Sequence, residues 1–455
     1  MSSSPVLQTP LVAHKDGHEI VAFYRDSPVS VVQFLNDVAL VAALLPEGQR
    51  LLNAATDRYH FTVAFAAAAL MGCVTILPSS YAPEVIRRLQ DEGPVTCLTD
   101  TEFPVALQKI VLPSRLALDP APDISALNIP CLPADQRVAT VFTSGTTGVS
   151  IGHHKTWGSL VDGAYGEAEW LGLAPGCALV GTVPPQHMYG LESTVMLGLH
   201  GRGVISAERP FYPRDIVVAL SAVSRPRMLV TSPVHLRALL TSGLDLPVTD
   251  ALLCATAPLS QALAEEAEQR FKAPLYEIYG ATEAGQIAGR RPARGPLWEL
   301  FSGLVLDQRE DQFWVSGGHV REPALLNDLI TRHDAQRFVL QGRGSDVVNV
   351  AGKRSSLIFL EQQLLAIPGV LDGTFYMPDE DLAGPVARLM AFVVAPGLTR
   401  DDLDLALRER IDPAFLPRPL YLVDSLPRLP TGKLPLATLK TWVSGLAQGA
   451  SRGRG

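Results

Sequence analysis

Lysine is scarce in this sequence, with seven residues in 455, at positions 15, 109, 155, 272, 353, 433 and 440. Basic side chains of both kinds number 38 against 46 acidic ones, for a net charge of -8. No basic run and no basic–aromatic interleaving is present, which argues against a surface that tracks a phosphate backbone and so against nucleic acid as a partner. The five cysteines, Cys73, Cys97, Cys131, Cys177 and Cys254, lie more than twenty positions apart and form no CxxC or Cys/His pattern. That excludes a zinc site read from spacing and a disulfide framework, and it fits a reducing compartment. Long hydrophobic runs are also lacking: only FTVAFAAAALMGCVTILP, Phe61 to Pro78, is long enough to resemble a membrane span. Its alanines, Gly72 and a following β-branched run read better as a buried helix and then a strand. The opening MSSSPVLQTPLVAHKDG has neither the basic start nor the apolar core of an export signal, so a cytoplasmic location is expected.

What is present is a chain 47% hydrophobic and 18% charged, well outside the range of disordered sequences and long enough for two or three folded units. Helical and strand-like patterns alternate along most of it. DRYHFTVAFAAAALMG precedes CVTILP, EVIRRLQDEG precedes PVTCLTD, RDIVVALSAV precedes PRMLVTS, and LSQALAEEAEQRF precedes PLYEIYG. This order predicts an α/β fold of parallel sheets covered by helices. Past about residue 295, segments such as LVLDQREDQFWVSGG alternate apolar and polar residues between turns, the pattern of antiparallel hairpins. The stretch Gln341 to Asp346, QGRGSD, then marks a boundary before a small α+β region.

Four stretches carry chemistry. TVFTSGTTGVSIGHHKTW, Thr140 to Trp157, runs an apolar strand into a loop of glycine, serine and threonine, whose amides and hydroxyls suit a polyphosphate. It is not a Walker loop, because His154 precedes Lys155-Thr156, and the glycines at 342 and 344 are followed by Val347 rather than a third glycine, so the dinucleotide fingerprint fails too. YEIYGATEAG, Tyr276 to Gly285, places a tyrosine, a glycine turn, a threonine and a carboxylate at the end of a predicted strand, where open α/β sheets bind ligands. LQGRGSDVVNVAGKRSS and LPRLPTGKLPLATL each set a basic residue beside glycine, and Lys155, Lys353 and Lys433 fall within these stretches.

Taken together, TSGTTG, YGATE, GRGSDVVNVAGKR and LPTGK resemble, in order and spacing, the adenylate-forming superfamily of acyl-CoA synthetases, peptide-synthetase adenylation domains and luciferases. The resemblance implies a large, multi-subdomain N-terminal domain, residues 1–342, and a small mobile C-terminal domain, residues 346–455, hinged at about 343–346. It also implies a two-step reaction in which a carboxylate attacks the α-phosphate of Mg2+-bound ATP to give acyl-AMP and pyrophosphate, and a thiol then takes the acyl group. By the same resemblance Thr143, Ser144, Gly145, Thr146, Thr147 and Gly148 would cradle the β- and γ-phosphates. Glu283 would hold magnesium, Tyr279 and Gly280 would line the adenine, Thr282 would touch the α-phosphate, and Asp328 and Arg343 would bind the ribose hydroxyls. Lys433 would bridge the carboxylate and ribose oxygens.

Three departures from the family pattern stand out. Where the phosphate loop usually continues Pro-Lys-Gly, this chain has Ser150-Ile151-Gly152, with His154 and Lys155 displaced downstream; the usual hinge residue aligns with Ser345; and Asn327 and Leu329 flank Asp328 in place of the expected residues. PPQHMYGLE, Pro184 to Glu192, matches the stretch that lines the acyl pocket, which nominates His187 and Tyr189, with Thr256 and Ala257 of CATAPLS on the opposite wall. These stretches are similar to those of stand-alone ligases of aryl-polyene and xanthomonadin pigment synthesis, which load an aryl acid such as 4-hydroxybenzoate onto an acyl carrier protein. Arg87 and Arg88, or Arg290 and Arg291, could then offer a basic patch to an acidic carrier. Coenzyme A as the acceptor shares every motif, and a non-catalytic binding protein of the same fold is the alternative from another class.

Overall fold

The computed structural model describes residues 7–25, 27–78, 80–114, 116, 128–144, 150–257, 259–310, 312–343, 347–350, 353–378, 388–429 and 432–452. Two large sheets dominate. The first has six strands in the order Ser150–Thr156, Arg137–Ser144, Val74–Leu77, Arg50–Asn53, Val95–Thr99 and Gln108–Val111. All but Ser150–Thr156 run parallel, as the βα alternation requires. The second has eleven strands, and its parallel centre comprises Leu275–Ala281, Ala251–Cys254, Arg227–Thr231, Ala178–Gly181, Val204–Ser206 and Ile20–Tyr24. Antiparallel strands extend it on one side through Gly285–Arg290 and Leu297–Leu300 to Arg337–Arg343 and Asp328–Arg332. A three-stranded antiparallel meander from Leu304 to Leu326 includes the hairpin expected from its alternation.

The alanine-rich segment is a helix, Arg58–Leu70, followed by the strand Val74–Leu77. Every residue from Arg58 to Ala69 is buried. Small side chains allow this helix to be enclosed on all sides without overfilling the core. Among the described residues, no helix is long and apolar enough to cross a membrane. Residues beyond 346 contribute the sheet of Asp372–Tyr376, Met390–Val394 and Leu420–Leu422, packed on the helices Leu357–Leu365 and Arg400–Arg408 around Leu360, Leu364, Phe375 and Leu403.

Arg58 ties the first sheet's helix to the second sheet. Its guanidinium is fully buried and donates to four main-chain carbonyls, Gly181 at 2.8 Å, Val183 at 2.9 Å, Ser206 at 3.0 Å and Glu208 at 2.7 Å. Gly181 is needed there, because a Cβ would lie 2.7 Å from the guanidinium. Burial lowers the Arg58 pKa to about 10, still high enough to keep the charge at neutral pH. Replacing Arg58 with leucine strands all four carbonyls, and we expect a loss on the order of 3 kcal/mol. Guanidinium denaturation followed by circular dichroism checks this, and an unchanged midpoint would show that the carbonyls find other donors.

Candidate active site

The parallel strands of the second sheet end side by side, and the loops beyond those ends bring the candidate residues together. Pro184–Gln186 leads from the end of Ala178–Gly181 to His187, which caps the short helix Met188–Gly190 by accepting the Tyr189 amide on Nδ1 at 3.3 Å. The helix continues through the π-helical turn Leu191–Met196 into Leu197–His200. Burial, with the nearby charge of Lys433, pushes His187 down to about 3, so the imidazole is neutral at physiological pH. Tyr189 is 6% exposed, packed among Leu253, Val230 and Ile287, and its hydroxyl donates to the Leu253 carbonyl at 3.0 Å. It braces the wall from within the core.

Thr256 and Ala257 lie just past the strand Ala251–Cys254. Thr256 has φ of +84°, an unfavourable conformation for a β-branched residue and one that clusters at functional sites. Gly432 sits on it. A Cβ at Gly432 would lie 3.1 Å from Ser232 Oγ and 3.6 Å from Thr256 Oγ1, and its φ of +82° also calls for glycine. The tight turn in which Gly432 N donates to Leu429 O, and Leu429 N to Lys433 O, each at 2.8 Å, then sets Lys433 near His187. Arg428 grips Asp372 through two 2.8 Å hydrogen bonds and donates to the Gly432 carbonyl at 3.2 Å. Arg237, on the helix Pro233–Thr241 of the N-terminal part, donates to Leu371 O at 2.8 Å and lies 4.0 Å from Asp372. Sequence reading missed Arg237, Asp372 and Arg428, whose pairing is entirely non-local.

Tyr279, at the end of Leu275–Ala281, donates its hydroxyl to Asp328 at 2.6 Å, while its ring meets Trp298 and Phe338 edge-on. Asp328 pairs with Arg343 in the strand register, so the two expected ribose ligands share one place on the sheet despite the unusual neighbours of Asp328. A close turn follows Tyr279. A Cβ at Gly280 would lie 2.6 Å from the Gly285 carbonyl, and Ala284 N donates to Ala281 O at 3.1 Å. Glu283 is exposed at the turn and Thr282 half-buried. A lone exposed carboxylate suits Mg2+, which keeps waters and takes its other ligands from phosphates. Consistently, no group of three or more His, Cys, Asp or Glu able to hold a metal exists among the described residues.

Thr143 and Ser144 end the strand Arg137–Ser144, and Ser144 pairs with Ser150 across the hairpin. Gly145, Thr146, Thr147 and Gly148 lie outside the described residues, as do 344–346 of the expected hinge.

Beneath the Glu283 turn is a buried polar cluster that the sequence did not reveal. Lys155, 6% exposed, donates to the Glu283 carbonyl at 3.2 Å. Glu192 is buried near it and Glu167 near Glu192, Gln286 Nε2 donates to Ser193 Oγ at 2.7 Å, and His319 closes the cluster. Burial lowers Lys155, an effect that Glu192 and Glu283 oppose. Burial raises Glu192 to about 7 despite Lys155. It raises Glu167 to about 8, partly offset by Ser193 and reinforced by Glu192.

The candidate basic residues all meet acidic partners within the chain. Arg87 and Arg88 both pair with Glu84, Arg290 pairs with Glu277 and stacks on Trp298, and Arg291 pairs with Glu268. A groove of about 770 Å³ lined by Trp170, Tyr276 and Arg290, Arg291 and Arg294 lies at the opposite end of the Leu275–Ala281/Gly285–Arg290 hairpin from the Glu283 turn.

Residues 12–303 match the family described as AMP-binding enzyme. The chain belongs to that family. It is an adenylate-forming ligase that joins a small carboxylic acid to a thiol and works with ATP and Mg2+, and the binding-only alternative is set aside. Among relatives, this ligase is 30% identical over 283 residues to 4-coumarate–CoA ligase of Rhodobacter capsulatus, covering 60% of this chain and 67% of the relative. It is 26% identical over 468 residues to the fatty acid–[acyl-carrier-protein] ligase ScoC of Streptomyces coeruleorubidus, covering 87% of each. In fold it resembles o-succinylbenzoate CoA synthetase from Bacillus subtilis in complex with its acyl-adenylate, with a TM-score of 0.77 at 20% identity, covering 94% of this chain and 97% of the other.

The pKa of Glu167 has a consequence for stability. Its folded value of about 8 exceeds the ordinary 4.5, so the folded state holds a proton that the unfolded state releases between those pH values. Its contribution is complete below pH 4.5 and is lost as the pH rises through about 8. Glu167→Gln, which cannot ionise, should melt close to the parent at pH 5 and above it at pH 9. Thermal melts across that range test this; parallel curves would refute a protonated Glu167.

Proposed function

We propose that this ligase activates a small aryl acid, such as 4-hydroxybenzoate, as its acyl-adenylate and passes the acyl group to the thiol of an acyl carrier protein. The observation that carries the reading is the seating of Gly432 on Ser232 and Thr256, which brings Lys433 to the place where the parallel strands end, with its charge felt at His187. In the first half-reaction a carboxylate oxygen bonds to the α-phosphorus of ATP as the bond to the pyrophosphate oxygen breaks. Both reactants are anions, so catalysis consists of holding them in line and cancelling their repulsion. Lys433 supplies the cation at the forming anhydride, bridging the acid and the ribose. His187, uncharged, shapes the acyl wall together with Thr256 and Ala257, which Tyr189 braces.

The remaining roles follow the strand ends. Thr143 to Gly148 cradle the β- and γ-phosphates, Thr282 contacts the α-phosphate, Tyr279 and Gly280 line the adenine, and Asp328 and Arg343 take the ribose hydroxyls. Glu283 would hold Mg2+, which, when bound, neutralises phosphate charge. In the second half-reaction the thiol sulfur, having lost its proton, adds to the acyl carbonyl and AMP leaves with the anhydride oxygen. We assign residues 1–342 to ATP and acid binding and residues 346–455 to carrying Lys433, with the pivot at about 343–346. An aryl acid is supported by 4-coumarate–CoA ligase, which has the highest identity among the relatives above, and a carrier protein by ScoC, which has the longest match. The coumarate ligase equally supports coenzyme A as acceptor at the same site.

Carboxylate-dependent ATP–pyrophosphate exchange on hydroxybenzoates, cinnamates and fatty acids tests the acid, and thioester formation with coenzyme A or a phosphopantetheinylated carrier tests the acceptor. A hydroxybenzoate should support exchange, and Lys433→Ala should lower it by about 100-fold or more without lowering the melting temperature. A preference for fatty acids would overturn the aryl reading, and efficient transfer to free coenzyme A alone would overturn the carrier protein.

A further inference from the structure

The buried cluster beneath the Glu283 turn has no part in the chemistry described so far, yet it contains one of only seven lysines in the chain. Alternation along Ser150–Thr156 puts Ile151, His153 and Lys155 on one face of the strand. Ile151, where the resemblance expects the loop lysine, is an apolar side chain 54% exposed. The cation on this face has therefore moved four residues down the strand, to a position enclosed between the two sheets. There its ammonium reaches the turn from beneath, donating to the Glu283 carbonyl at 3.2 Å.

Glu192 grips the same turn from the other side. Its carboxylate lies so close to Gly285 that a Cβ there would stand 2.7 Å from Oε1, and the φ of +85° at Gly285 also demands glycine. Glu192 belongs to the π-helical turn Leu191–Met196, every residue of which is buried. Such turns are often found at functional sites. Packing alone does not account for these ionisable groups, because well-fitted apolar side chains fill such a space at no greater cost than buried charges. What Lys155 does that an apolar side chain cannot is hold a main-chain carbonyl in place.

We propose that Lys155 is a positioning residue of the adenylation site: with Glu192 it clamps the Ala281–Gly285 turn, and by holding the Glu283 main chain it sets where the Glu283 carboxylate meets Mg2+-bound ATP. The inference rests on the reading of Glu283 as the magnesium carboxylate. It gives this chain a cation that acts on the protein's own turn, in place of the loop lysine it lacks.

Four variants test it: Lys155→Met, Lys155→Arg, the double variant Lys155→Met/Glu192→Leu, and Glu283→Gln. Each is read by the Mg2+ concentration that half-saturates ATP–pyrophosphate exchange, by hydrogen exchange of the 279–286 peptide in the ligand-free protein, and by thermal melting. Lys155→Met should lose about 100-fold in exchange, the scale expected when a reacting group is displaced by about 1 Å. It should also need more Mg2+ and lose amide protection in the turn, and Lys155→Arg should restore part of each. The double variant removes the stranded carboxylate, so its melting temperature should recover while the Mg2+ response and the turn protection do not. A double variant with the parental Mg2+ response and turn protection would overturn the proposal and leave the pair a packing feature. If Glu283→Gln leaves the Mg2+ response unchanged, the magnesium reading of Glu283 fails, whereas loss of turn protection in Lys155→Met reports the clamp independently.

Discussion

Everything at this site hangs from one buried guanidinium. Arg58 begins a helix of the first sheet, and its four hydrogen bonds end on the last residues of two strands of the second and on the loops that leave them. Two of those carbonyls, Gly181 and Val183, lie just before the segment that carries His187. The distance between the sheets and the course of the His187 loop are thus set together. Four main-chain carbonyls meet the guanidinium without a carboxylate partner, so the contact is directional and holds backbone rather than a flexible side chain.

Glycines set the spacing on the other side of the site. Gly285 lets Glu192 approach the turn, and Gly432 lets the segment before Lys433 rest on Ser232 and Thr256. At each of these points the backbone must come closer than any Cβ permits. The ions then hold what the glycines admit: Lys155 the turn, and Arg428 with Asp372 and Arg237 the Lys433 segment. The active centre is a set of backbone turns pinned by a few enclosed charges.

The fold was legible because its signals are local. Two-residue and helical periodicities located the parallel strands and their helices, and small side chains distinguished the enclosed helix Arg58–Leu70 from a membrane span. The strand end and turn that carry Tyr279 and Glu283 were legible for the same reason, since such segments have their own composition, whereas Asp328 was nominated by the family resemblance alone. Arg58 was not, because an arginine at the first position of a helix looks like an ordinary surface cap. Glu167, Glu192, Gln286 and His319 were hidden similarly: nothing in the residues beside each marks it as buried, and the cluster joins segments far apart in the chain. The partners of Arg290 and Arg291 were hidden by the same limit, as only the folded chain brings Glu277 and Glu268 beside them.

The enclosure of Lys155 bears on a hazard built into adenylation chemistry. An acyl-adenylate is a mixed anhydride that acylates any free amine within reach, including those of the enzyme that made it. Lys155 lies behind the Glu283 turn, 6% exposed and faced by two carboxylates. A cation on the exposed strand face at Ile151 would stand in the open, and the same charge four residues deeper stabilises the site while staying out of reach of its product. In a chain so poor in lysine, burying one of the few amines near the anhydride is also a means of escaping self-modification.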